Sequence, residues 1–392
     1  MIHAGSGFSE NTSVEKAFAE AAAQALERSG LSKVHTLMAF ASFKNPEKWP
    51  GVFKKLKSIT GAKAIVGSSA FGVLTEQTEI EERAGVAVMA LEGTDETLLP
   101  FLLPNLQESN LRAGASFCEK IQRLEPSLSV ILPDAFSFQY GPFFDGFEAE
   151  GDFVPLIGGC ASEQGRIQKT FQWLEDRLAY DAVSGLAFGR NVEFEIGITQ
   201  SCQPFGEPLQ VTRSQGNMIF EMEGRPAYDI LHELISHLRF ENSREIFHRL
   251  FLGVPLEDDQ TEFGRAQYLV RNIMGVNAKK RALTCAANIE EGEYVTFTLR
   301  DPGKAKEDMA LMLQDLRQRG LGRKPAFGLY FNCCARGTSL YGKPGEDTAL
   351  IREYFPDVSV AGFFTFGEIA PVAEVNHFHH YSGILAMAYE PL

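Results

Sequence analysis

The chain repeats one pattern three times, in an order that never changes. Each occurrence has an apolar strand-like run, an amphipathic connection, a second run ending at glycine beside small or aromatic residues, and a closing apolar run. The three parts fall at 37–41, 67–72 and 85–91 in the first copy, and at 130–132, 158–162 and 184–189 in the second. In the third they fall at 327–331, 362–368 and 383–388. From first run to glycine takes about 28 to 35 residues each time, as expected of one supersecondary unit used repeatedly. The glycine turns are places where backbone can approach a ligand closely, which points to a site.

The connections say how each copy is built. Val52, Phe53, Leu56 and Ile59 in the first, Phe143, Phe144 and Phe147 in the second, and Leu350, Ile351, Tyr354 and Phe355 in the third trace one face of about two helical turns. The returns from the glycine turns, 76–82 and 170–176, are polar or alternating and suit hairpins better than crossover helices. Each copy therefore reads as β-α-β-β, at 31–92, 128–189 and 325–390. The fold class expected is α/β (α+β), with mixed, largely antiparallel sheets covered by helices. Ala17, Phe18, Ala21, Ala22, Ala25 and Leu26 predict an opening helix that Gly30 ends. Residues 190–325 differ: strands, then a helix opened by Pro226 with Ile230, Leu231, Leu234, Ile235 and Leu238 on one face, and a later helix marked by Met309, Leu313 and Leu316. A boundary is expected between 190 and 225.

Charge and cysteine usage exclude several functions. Lys plus Arg is 37 against 51 Asp plus Glu, a formal charge of −14, which repels phosphate backbones and anionic lipid. Lys54-Lys55 and Lys279-Lys280-Arg281 are isolated, so neither nucleic acid nor a membrane surface is an expected partner. The start lacks the basic and apolar regions of a signal peptide, and no apolar run has spanning length. The 6 cysteines are scattered instead of framework-spaced, which points to a reducing compartment and a cytoplasmic protein.

Several signatures fail on inspection. Gly337 to Lys343 has phosphate-loop spacing, but Pro344 stands where the Mg²⁺-binding hydroxyl belongs. Gly67-Ser68-Ser69-Ala70 lacks the final glycine of a nucleophile elbow. Neither a C-x-x-C pair nor an H-E-x-x-H segment occurs.

Four clusters carry candidate chemistry. Asn332-Cys333-Cys334-Ala335-Arg336-Gly337 begins where a buried strand stops. Arg336 there suits a carboxylate or phosphate and would lower a neighbouring thiol's pKa; alternatively the cysteines are inert core and Arg336 pairs with an acid such as Glu368. Glu368, closing an apolar run, must itself be paired or solvated, by Arg336 or by a ligand's amine. His377-Phe378-His379-His380 invites a metal reading, though imidazoles at a strand edge often only cap it and the spacing matches no established site. Gln200 ends another strand with an amide suited to small polar ligands, and Arg225 either helps an anion at the next helix start or fixes a turn.

The run Ser201-Cys202-Gln203-Pro204-Phe205-Gly206, then Val211-Thr212, Gly216-Asn217 and Glu223-Gly224-Arg225-Pro226-Ala227, resembles the centre of the FIST family (F-box and intracellular signal transduction proteins). The segments 332–337 and 362–371 resemble its C-terminal module; 66–73 and 157–162 resemble its N-terminal one. The resemblance implies an N-terminal module at 1–224 holding two copies and a C-terminal module at 225–392 holding the third. It also implies a sensory role, with amino acids or related metabolites as ligands. Family members often carry signalling domains or an F-box. Here one helix before the first copy and a stop soon after Ala388 leave no room for either, so output is expected through a partner protein in trans.

The resulting expectation is a small-molecule sensor, not an enzyme, with no cofactor and no metal. Its ligand would contact Ser68, Ser69, Cys160, Ser162, Gln200, Asn332, Cys333, Arg336 and Glu368. The alternatives are an enzyme using Cys333, Cys334 or a histidine-held metal, and an interaction scaffold without a small ligand.

Overall fold

A computed structural model describes residues 3–31, 33–44, 46–149, 151–165, 167–238, 243–256 and 263–391. Its contacts divide the chain into two compact units: residues 1–198 with 310–378 and 382–392, and residues 199–309 with 379–381.

The first unit holds the three copies. The first copy runs β1 (Ala4–Ser9), α1 (Val14–Ser29), β2 (Thr36–Ala41), α2 (Trp49–Thr60), β3 (Ala64–Ser69), β4 (Gly72–Thr75), β5 (Thr78–Glu81) and β6 (Val86–Leu91). The second repeats this order as β7 (Leu98–Pro104), α3 (Asn110–Ile121), β8 (Pro126–Pro133), α4 (Tyr140–Glu148), β9 (Leu156–Gly159), β10 (Gln172–Leu174), β11 (Arg177–Ala179) and β12 (Ala182–Gly189). The third starts with β13 (Glu193–Gln200) and is then interrupted.

The insertion contains β14 (Cys202–Gln215), β15 (Met218–Met222), β16 (Arg225–Pro226), α5 (Ala227–His237), α6 (Ser243–Arg249), β17 (Leu250–Pro255), β18 (Tyr268–Asn277), β19 (Ala282–Cys285) and β20 (Tyr294–Arg300). Its strands follow the order β14-β20-β17-β18-β19-β15, and β15 pairs back onto β14, closing a six-stranded barrel. Leu250, Leu252, Ile273, Leu283, Val295 and Phe297 fill its core, with Ala227 and Leu231 of α5 packed against them. After α7 (Pro302–Arg319), the third copy resumes as β21 (Phe327–Cys333), α8 (Thr338–Tyr341), α9 (Glu346–Tyr354), β22 (Val360–Thr365), β23 (Glu368–Val372), β24 (Val375–His379) and β25 (Ser382–Tyr389).

Each copy is thus longer than its sequence pattern suggested, with a strand and a helix ahead of the first apolar run. Each has one parallel pair, β2/β3, β8/β9 and β21/β22, next to antiparallel neighbours. In each pair one glycine meets the first strand's carbonyl. A Cβ on Gly67 would lie 1.7 Å from the oxygen of Ala39, on Gly158 2.1 Å from Ile131, and on Gly362 1.7 Å from Tyr330. Glycine therefore recurs because the two backbones touch there.

The hairpins bind the copies together. They form as expected, but none joins its own copy's sheet. The hairpin β10–β11 of copy two pairs with β3 of copy one, β23–β24 of copy three with β9 of copy two, and β4–β5 of copy one with β22 of copy three. The result is three six-stranded sheets closed into a cycle by exchanged hairpins. Helices cover the outer faces: Phe18, Trp49 and Phe53 pack on the first sheet and Phe117, Phe143 and Phe147 on the second. Ile59, expected on the buried stripe, is 62% exposed.

Candidate functional site

The three glycine turns meet at the carboxyl ends of the parallel pairs. The Ser69 hydroxyl donates to the carbonyl of Ser162 (3.1 Å), and the Ser162 N–H returns a bond to the carbonyl of Ser69 (3.2 Å). The Ser162 hydroxyl accepts from the N–H of Phe71 (2.7 Å) and donates to the carbonyl of Phe364 in the third copy. Cys160 exchanges backbone bonds with Gly367 (2.9 Å) and Phe366 (3.2 Å). Residues from all three copies therefore share one hydrogen-bonded junction.

Glu368 lies fully buried within it. Its carboxylate accepts from Thr365 Oγ1 (2.5 Å), from Ser382 Oγ (2.8 Å) and from the Ser382 N–H (3.2 Å). Burial pushes its pKa up to about 7 against these bonds and one from Cys333. Burial also pushes the Cys160 thiol well up, helped by the charges of Asp134 and Glu368. The Cys334 thiol rises in the same way, with Cys333 and Glu368 adding to burial and Ser162 opposing. Such thiols stay protonated near neutrality and are poor nucleophiles.

Arg336 does not reach Glu368; its partner is Asp347. The guanidinium is bidentate on that carboxylate, Nε to Oδ2 at 3.0 Å and Nη2 to Oδ1 at 2.9 Å, with both side chains fully buried. Tyr330 OH (2.9 Å), Asn332 Nδ2 (3.1 Å) and Tyr341 OH (2.8 Å) also donate to Asp347. Burial works against the Asp347 charge, yet Arg336 and these donors hold its carboxyl below the usual range. Asn332 and Arg336 thus form a second cluster, joined to the junction where the Asn332 carbonyl accepts from Thr365 Oγ1 (3.3 Å).

The exchanged hairpin of copy one closes that cluster. Glu79 accepts from the N–H groups of Gly345 (2.7 Å) and Thr348 (3.1 Å) at the start of α9. Burial and the nearby Asp347 charge push its pKa up to about 7, against those two bonds. Glu81 accepts from the N–H (3.0 Å) and hydroxyl (2.8 Å) of Thr338. A carboxylate therefore sits where the phosphate-like spacing of 337–343 would have put a phosphate.

Two expected contacts lie elsewhere. The Gln200 amide belongs to the barrel unit, where it donates to the carbonyl of Tyr268 (2.9 Å) and accepts from the N–H of Ala266 (3.0 Å). Ser68 is fully buried on β3 and its hydroxyl has no hydrogen-bond partner. Among the described residues no group of three or more His, Cys, Asp or Glu is placed to hold a metal. His380 is pushed down to about 3 by burial and by Arg271, whose Nη1 lies 3.4 Å from its Nδ1.

A cleft of about 510 Å³ opens beside the first glycine turn. Ser42, Phe43, Lys44, Lys48, Arg83 and Gln164 are among its walls. A recess of about 20 Å³, room for one water, continues past Phe43 to Ser69, Ala70, Glu163 and Phe171. A larger cavity of about 670 Å³ lies at the opposite strand ends, beside Ala326 and Glu390. Two of its cations are already paired, Arg28 with Glu76 (2.8 Å) and Arg323 with Glu193 (2.8 Å). Sequence reasoning missed Asp347, Glu79, Glu81, Lys44 and Lys48. Only Glu346-Asp347 ahead of an apolar helical stripe carried a readable signal, that of a helix start.

Residues 35–225 match the model of the FIST N domain and residues 227–371 that of the FIST C domain. Two uncharacterised proteins from strains of Mycobacterium tuberculosis are each 25% identical over 383 residues, covering 98% of this chain and 98% of their own. An uncharacterised protein of Mycobacterium bovis is 24% identical over the same share. FIST domains are associated with signal transduction and the sensing of small ligands. Among the described residues no helix is long and apolar enough to cross a membrane. With both domain models matched over nearly the whole length, the chain belongs to the FIST family.

Proposed function

We propose that this chain is a small-molecule sensor that binds an amino acid or related metabolite in the cleft beside the first glycine turn and signals through a partner protein. The observation that carries this reading is the meeting of the three glycine turns at the carboxyl ends of their strands, where sheets of this kind take ligands. Ligand there touches Gln164, two residues after Ser162, whose amide donates to the carbonyls of Phe71 and Arg83, so binding energy acts beside a junction that all three copies share. A state in which those copies are differently arranged is then favoured or disfavoured by ligand, and a partner reads the difference. The raised thiol pKa values weigh against cysteine catalysis. The six described cysteines form no disulfide with one another, in keeping with a cytoplasmic location. The matched domain models support 1–224 and 225–392 as the two modules.

Thermal unfolding against amino acids, organic acids, nucleotides and divalent metals tests the reading. A ligand at 100 times its dissociation constant adds about 2.7 kcal/mol. A shift that Gln164→Ala, in the cleft wall, abolishes while the unliganded midpoint holds supports the site. If no compound moves the midpoint, the sensor reading is abandoned for the scaffold.

A further inference from the structure

The walls of the cleft also carry a statement about the charge of its ligand, which rests on the sensor reading above. We propose that the cleft takes a small organic anion, whose carboxylate or phosphate group is held by Lys44 and Lys48.

The chain as a whole carries −14, yet the cleft is locally basic. Lys44, Lys48 and Arg83 line it against Glu82 alone, and Lys169 faces the inner recess with Glu163. Most of these charges are already answered. Arg83 is held by Glu10 at 2.8 Å, Lys169 lies over the Tyr180 ring, and Glu163 accepts the N–H groups of Ile167 (3.0 Å) and Gln168 (3.3 Å). Lys44 and Lys48 make no ion pair with a described residue, so two ammonium groups border one concave space against the single carboxylate of Glu82. An anion entering there gains from both.

The second copy shows the same position with its anion built in. By register, Ser42 after β2 corresponds to Asp134 after β8: each N–H bonds the start of its copy's closing strand, Ser42 to Gly85 (2.9 Å) and Asp134 to Ala182 (2.8 Å). Asp134 is 4% exposed and binds the hydroxyls of Ser137 (2.7 Å) and Thr170. Asn110 then ties the following loop down, accepting from the Gln139 N–H (2.9 Å) and donating to the Ser137 carbonyl (3.0 Å). That copy is self-satisfied. In the first copy a neutral serine replaces the carboxylate, its hydroxyl donates to the Arg83 carbonyl (2.8 Å), and the loop beyond it carries the two lysines. The first copy therefore lacks the negative charge that the second contains, and a ligand's acidic group supplies it. The start of α1 borders the cleft through Thr12, Ser13 and Val14, and its dipole adds to the positive potential. A volume of about 510 Å³ suits a metabolite-sized molecule.

Calorimetric titration of the full-length protein tests this, with succinate and glutamate as carboxylates, 3-phosphoglycerate as a phosphate, glycerol as a neutral probe and putrescine as a cation. The panel is repeated on Lys44→Ala/Lys48→Ala and on the distant control Lys304→Ala. The expected result is binding of an acidic probe, weakened about tenfold or more in the double variant and by added salt, with the control unchanged. The unliganded melting temperature of the double variant stays that of the parent, because both lysines are exposed. Preference between succinate and 3-phosphoglycerate tells which acid the site takes. Binding confined to glycerol or putrescine, or acid binding that the double variant retains, overturns the anion proposal and leaves the sensor reading standing. Silence from every probe overturns the anion proposal, while the sensor reading is decided by the thermal-unfolding panel above.

Discussion

Two of the three exchanged hairpins occupy matching positions and hold their seams by opposite means. Where the hairpin of copy two meets copy one, Trp173 packs against Phe53 with ring centres 5.0 Å apart and edge-on to Trp49 at 5.2 Å. None of these rings titrates, and the ion pair beside them, Lys57 with Glu175 (3.1 Å), is solvent-exposed. Where the hairpin of copy one meets copy three, Glu79 and Glu81 take the N–H groups opening α9 and α8, above the Arg336–Asp347 pair. One backbone plan thus tolerates an aromatic seam and an ionic one. The main-chain pairing is common to both, and the side chains decide how each responds to its surroundings. The aromatic seam gains by area removed from water. The ionic seam depends on every buried charge keeping its partner.

The largest effects should come from breaking each seam at its centre. Asp347→Ala strands a buried guanidinium and should cost about 3–5 kcal/mol in urea unfolding, whereas replacing both partners, as Arg336→Met/Asp347→Leu, should cost far less. A double variant as unstable as the single would show that the pair itself, and not its interruption, matters. Trp173→Ala should cost about 3–5 kcal/mol, and the loss should be the same at pH 5 and pH 8. A strong pH dependence of that loss would erase the contrast between the seams.

A smaller effect should come from pH acting on Glu79. Its pKa is raised from 4.5 to about 7, so between those values the folded protein holds a proton that the unfolded chain has released. The group's contribution is therefore complete below about pH 4.5 and is lost as pH rises toward 7, by about 3 kcal/mol at most. Glu79→Gln should remove that part of the slope. Glu368, raised to about 7, contributes a second slope of the same sign, which survives in Glu79→Gln. An unchanged pH profile in the variant would mean that Glu79 does not titrate in this window.

Much of this fold was legible in residue order. The three apolar–glycine–apolar patterns, the helices between them and the polar returns all rest on local spacing, and α1 ends at Gly30 in the left-handed conformation as its pattern implied. The leading strand of the first copy escaped notice because Ala4–Ser9, AGSGFS, has no β-branched residue and no alternation; it is a strand because β6 pairs with it. The alternating run from Glu193, by contrast, was readable as a strand.

Within the candidate site the turns were readable and the partners were not. Ser69, Cys160, Ser162 and Glu368 come together because each follows or flanks one of the glycines of the three turns, and Cys333 joins them from the end of β21. Arg336 finds Asp347, eleven residues on, and not Glu368, since the helix start brings Asp347 under the strand end. Which charges pair is a matter of distance in space, to which sequence spacing gives little access.

By itself the sequence determined the unit, its threefold reuse, the places of the glycine turns and the family. Tertiary structure alone decided that every hairpin leaves its own copy for another, that a closed barrel interrupts the third, and that one copy's turn keeps an open basic cleft while the next fills the same place with its own aspartate. The physical reason is that edge strands pair through backbone groups common to all residues, so the choice of neighbour is made by the assembled sheets and not by any segment's side chains.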